Sequence, residues 1–119
     1  MQSIPVDISK IMFLALGTPK PKIKNRQTGE QSMDRDGRPV TAVRCACVPT
    51  EESDADVAEI EEIRTVSEVP PLRRGAPVQL IGLVAKPWSF RDDNGKERFG
   101  VTFWAEQITP LNGRGAAVS

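Results

Sequence analysis

The chain has 119 residues, 39% apolar and 27% charged, with 16 basic and 16 acidic side chains and no histidine. That size fits one domain with a modest core, and no apolar run is long enough to cross a bilayer. Without histidine there is no imidazole base or imidazole metal ligand. Two cysteines are too few for a structural zinc site.

The balanced charge hides a segregation. Residues 51–68 carry eight acids against Arg64 alone, a net of −7, and the remainder of the chain is +7. An anionic partner responds to that local basic body rather than to the sum. Residues 1–7 lack the basic start and apolar run of a signal peptide, so a cytoplasmic location is expected.

In chain order, residues 1–9 read as an extended lead-in and residues 11–16 as a first strand ended by Gly17. Next, Lys20, Lys22, Lys24 and Arg26 recur at every second position. In an extended chain that period puts all four on one face, and Pro19 and Pro21 exclude a helix start. Two readings stand for this basic ribbon: an edge strand blunted by Lys and Pro against aggregation, or a ridge that tracks phosphates. Residues 27–30 form a turn. A hairpin is expected at residues 33–39, where Asp36-Gly37 is a strong turn signal.

Residues 40–48 read as a strand with Val43, Cys45 and Cys47 on one face and Arg44 on the other, between Ala42 and Ala46. The two cysteines, two apart, share that face and cannot easily bridge each other. Small buried apolar side chains are the expected role. Residues 50–56 form an acidic loop. Val57, Ile60, Ile63 and Val66 have the spacing of a helical stripe, but the β-branched content favours a strand over residues 60–66. Residues 70–75 link into a central strand at 78–85, bounded by Pro77 and Pro87 and interrupted by Gly82, a residue that marks a bulge or a barrel corner.

Lys86, Trp88, Phe90 and Arg91 follow that strand directly. Cations interleaved with large rings are what a single-stranded nucleic-acid site uses, with charge for phosphate and ring faces for bases. Capping of the core is the other reading for Trp88 and Phe90. Asn94-Gly95 tips a hairpin. The closing strand, 98–108, places Phe99, Val101 and Phe103 on one face and Trp104, Glu106 and Ile108 on the other. Residues 112–119 read as a disordered tail after a single domain at 1–111.

About five strands with turns at barrel-like spacing indicate an all-β fold, a small five-stranded barrel with a basic N-terminal ribbon and an acidic loop. Phosphate-loop, dinucleotide and nucleophile-elbow motifs are missing. The chain therefore reads as non-catalytic, with no cofactor and no metal.

Two stretches carry a likeness to a known family. Asp34-Arg35-Asp36-Gly37-Arg38-Pro39, just before a strand, and residues 74–110, a closing pair of strands ending in Ile108-Thr109-Pro110, resemble the OB-fold single-stranded-DNA-binding proteins of filamentous phages and bacterial mobile elements. That family tends to carry an aromatic after the hairpin proline; here the position is Val40, so stacking falls to Trp88, Phe90 or Trp104. The resemblance implies sequence-tolerant binding of single-stranded DNA, with RNA as a variant, in replication or transfer of a phage or mobile element, and a homodimer. Phosphates are then expected on Lys20, Lys22, Lys24, Arg26, Arg35, Arg38, Arg44, Lys86 and Arg91, with bases on Trp88 and Phe90. The competing expectation is a protein-interaction module that docks a basic partner on the acidic insert, through Glu51, Glu52, Asp54, Asp56, Glu59, Glu61 and Glu62.

Overall fold

A computed structural model describes residues 3–50 and 59–111. The acidic loop at 51–56 and the tail at 112–119 lie outside the described residues. All regular elements among the described residues are strands: β1 (Ile4–Pro5), β2 (Ile11–Ala15), β3 (Lys20–Pro21), β4 (Ile23–Asn25), β5 (Glu30–Gln31), β6 (Thr41–Pro49), β7 (Glu59–Thr65), β8 (Pro77–Ile81), β9 (Val84–Arg91), β10 (Glu97–Trp104) and β11 (Gln107–Pro110). Among the described residues no helix is long and apolar enough to cross a membrane.

The strands form a curled, barrel-like mixed sheet in the order β1-β9-β10-β7-β6-β2-β8-β11, with β3 also on β6 and a separate β4-β5 hairpin. Pairing is antiparallel except between β7 and β10, where Phe103 and Trp104 run parallel to Ile63 and Arg64. The segment 59–65 is the strand that its β-branched residues favour. Its spacing-three stripe does not form a face, because Ile63 is 1% exposed and Ile60 is 57% exposed. Period two decides: Ile63 and Thr65 turn into the core and Glu62 and Arg64 turn outward. On β6 the same alternation buries Val43 and Cys45 and exposes Arg44. Burial pushes the Cys45 thiol up to about 12, with a smaller push from Cys47, so it is protonated at neutral pH and packs as an apolar group.

Two expectations about the closing strands are corrected. The central strand does not stop at Pro87; after a break at Gly82 it continues as β9 to Arg91. Among the described residues β1 covers β9 only at Val84 and Ala85, so none of them pairs with Pro87 from that side, where its missing N–H costs no ladder bond. Second, Ile108 does not share a face with Trp104. It is fully buried, and Leu80 and Leu83 are buried with it in the core.

The cause is a corner. The pairs Ile81↔Gln107 and Val84↔Trp104 keep the same frame on both sides of it, so neither strand gains a residue. Yet the buried positions change from Val78 and Leu80 to Leu83 on one strand, and from Ala105 to Ile108 on the other. Both strands exchange their core-facing parity together. Gly82, at φ 67°, makes the turn, and a Cβ there would lie 2.7 Å from Cδ of Glu106. The backbone groups released from the ladder find other partners. The Ala105 amide donates to the Arg64 carbonyl at 2.9 Å, and the Ser67 and Thr65 hydroxyls donate to the Glu106 carbonyl at 2.6 and 3.4 Å.

Candidate functional site

The face of the sheet that points away from the core carries most of the expected cations and all of the expected rings. One row crosses five strands: Lys20 pairs with Ala42, Ala42 with Arg64, Arg64 with Trp104, and Trp104 with Val84. The next positions on that face are Arg44 opposite Glu62 and Lys86 opposite Thr102. Beyond them β9 and β10 run on as a two-stranded ribbon, with Trp88 opposite Gly100 and Phe90 opposite Arg98.

Two grooves lie on this face. The first is lined by Lys20, Lys22, Arg26, Arg44 and Arg74 around Glu62, with Pro21, Ala42 and Ile60 among its apolar walls. The second lies between the 34–38 turn and the β9–β10 base, and brings Arg35 and Arg38 near Lys86 and Trp104. Among the described residues Lys20, Arg26, Arg35, Arg44, Arg74 and Lys86 have no ion-pair partner.

Four expected cations are placed differently from the sequence reading. The row Lys20, Lys22, Lys24, Arg26 is not one face, because the strand breaks at Lys22, the register slips between Ile23 and Asn25, and Arg26 begins a turn. Lys24 is exposed on β4 and lines neither groove. Lys22 is held by Glu62, with Nζ 3.0 Å from Oε1. Arg38 is bound into its own turn: Nε donates to Asp34 Oδ2 at 2.8 Å, and Nη2 lies 2.8 Å from the same oxygen as an ion pair. The Arg38 backbone N–H, donated to Asp34, is the main reason that carboxyl sits below the ordinary range. Arg91 pairs with Glu97, on the ribbon face opposite Trp88 and Phe90.

The rings stand outside the core. Trp88 and Phe90 stack on each other, centroids 5.7 Å apart at 20°, and Phe90 is 56% exposed. Gly100 is the seat of the indole: a Cβ at that position would come within 2.5 Å of Trp88 Cζ2. Trp104 is occupied by cations, with Lys86 Nζ 4.8 Å and Arg64 Cζ 5.9 Å from its ring centroid. Its Nε1–H donates to Thr102 Oγ1 at 3.3 Å. Such contacts hold both cations over the sheet.

Sequence reasoning omitted Arg64, Arg74 and Gly100 from the site. The parity of β7 could have found Arg64, since it alternates with buried Ile63 and Thr65. Arg74 sits in a linker without period, and only the fold brings it to Arg44. No family model matches this chain, and no curated protein matches it.

Proposed function

We propose that the chain is a non-catalytic, sequence-tolerant single-stranded-DNA-binding protein that uses this outward face. The observation that carries the reading is the continuity of the face: two grooves, holding cations without an ion-pair partner among the described residues, lead across the sheet to the Trp88–Phe90 pair on the ribbon. Cations contribute sequence-independent attraction to phosphates, and exposed rings contribute stacking that any base can satisfy. Rings offered on a ribbon suit unstacked bases, which a duplex does not present. RNA fits the same chemistry. The pairing pattern supports an OB-type reading of the sheet. If β2–β3, β8–β9 and β10–β11 are each counted as one bent strand, five strands form a ring that returns to β2 through Phe13↔Val78. A role in replication or transfer of a phage or mobile element rests on the family resemblance alone. A fluorescence titration with oligo-dT tests the binding: saturable quenching supports it, and no change at high protein concentration opposes it.

The other side of the ribbon supports the homodimer. Phe99, 80% exposed, and exposed Val101 lie there with Pro87. At its tip Arg91 and Glu97 are opposite each other with no ion-pair partner among the described residues. An apolar patch edged by one charge of each sign is complementary to a two-fold copy of itself. In sedimentation equilibrium, Phe99→Asp is expected to be monomeric at concentrations where the wild-type chain is dimeric. A dimer unchanged by Phe99→Asp rules out this face.

A further inference from the structure

Among the described residues that line it, the first groove holds one acid amid its cations. Glu62 lies between Lys22, which reaches both carboxylate oxygens at 3.0 and 3.2 Å, and Arg64, whose Nε is 3.2 Å from Oε1. Arg44 is its cross-strand neighbour, and Lys20, Arg26 and Arg74 line the same groove. The Glu62 and Lys22 side chains keep about a third of their surface in solvent. Ion pairs so exposed add little to folding stability, so the fold gives no strong reason for a carboxylate at this position. A phosphate entering this groove, however, meets that carboxylate at short range, and like charges brought together are costly.

We infer that Glu62 is a resident counter-ion: it occupies Lys22 and Arg64 while the groove is empty, and a nucleic-acid phosphate must displace it to gain those two cations. The inference rests on the single-stranded-DNA reading of this face and names the residue that limits its affinity. Lys22 and Arg64 exchange between carboxylate and phosphate, while Lys20, Arg26, Arg44 and Arg74, which have no ion-pair partner among the described residues, supply the initial attraction. Burial pushes the Glu62 carboxyl up, but the hydrogen bonds and charges of Lys22 and Arg64 together outweigh it and hold the carboxyl below its ordinary range. The side chain therefore stays charged at neutral pH. The exchange also extends beyond the groove, because the Arg64 guanidinium that Glu62 holds lies over Trp104, whose ring carries Lys86.

The test is Glu62→Gln, which keeps the shape and removes the charge. With oligo-dT at 50 mM salt the variant is expected to bind roughly three- to tenfold more tightly than wild type, with the gain shrinking at 200 mM. Its plot of log affinity against log salt should be steeper by about 0.7 to 1.4, the share of one or two added phosphate contacts. A second variant guards against a local rearrangement: Lys22→Gln should cost more affinity in the Glu62→Gln background than in wild type, because only there is Lys22 free beforehand. Equal costs, or a Glu62→Gln variant that binds no more tightly than wild type, overturn the inference. Inorganic polyphosphate separates the two claims. If it binds more tightly to Glu62→Gln while oligo-dT binds neither protein, the counter-ion role stands and the DNA reading falls. If neither probe binds, both fall.

Discussion

Ile108→Ala is expected to destabilise the protein by about 2–5 kcal/mol, the range for truncating a buried isoleucine. Ile108 has no exposed surface and belongs to the core cluster with Leu80, its cross-strand partner, and Leu83. A domain is stable by only about 5–15 kcal/mol in total, so the loss is a large share of the whole. In urea the midpoint should fall while the slope stays the same. This substitution also tests the corner at Gly82. If β10 and β11 alternated without interruption, Ile108 would lie on the outward face with Trp104, and its truncation would cost no more than about 0.5 kcal/mol, as at most surface positions. A small effect would therefore contradict the parity exchange.

Trp88→Ala is the second large effect, and it should appear in binding rather than in folding. The ring is absent from the core cluster; it lies over Gly100 and against Phe90 on the ribbon. If bases stack on it, its removal should weaken oligo-dT binding by roughly 1–3 kcal/mol, while the melting temperature changes little. If it capped the core, the substitution would cost about 3–5 kcal/mol of stability. Both quantities should come from one sample, since a partly unfolded variant imitates a binding defect. A destabilised variant whose folded fraction binds like wild type would remove Trp88 from the site.

The sequence exposed the strands because their period-two patterns are strong. Arg44 among Ala42 and Ala46, and Val43 with Cys45, keep in the structure the faces that alternation gives them. Asp36-Gly37 and Asn94-Gly95 likewise sit in turns, with both glycines at positive φ. Alternation failed where the backbone departs from a regular ladder. It could not reveal that Gly82 lets two strands exchange parity in step, because that depends on the Thr65, Ser67 and Arg64 groups that receive the released backbone. Nor could it separate free cations from engaged ones. Lys20 and Lys22 look equivalent as letters, but Glu62, forty residues away, takes only Lys22. The rings were visible as a cluster; that Trp88 is seated on Gly100 follows from the register of the two closing strands.

The most direct test of the outward face as a DNA-binding surface is the salt dependence of oligo-dT affinity for the wild-type protein. Each phosphate contacted on a single strand contributes about −0.7 to the slope of log affinity against log salt. If four to six of the cations Lys20, Arg26, Arg35, Arg44, Arg74 and Lys86 make contact, the slope should be about −3 to −4. A slope near zero, or no saturable binding even at low salt, would contradict the claim that this face binds single-stranded DNA.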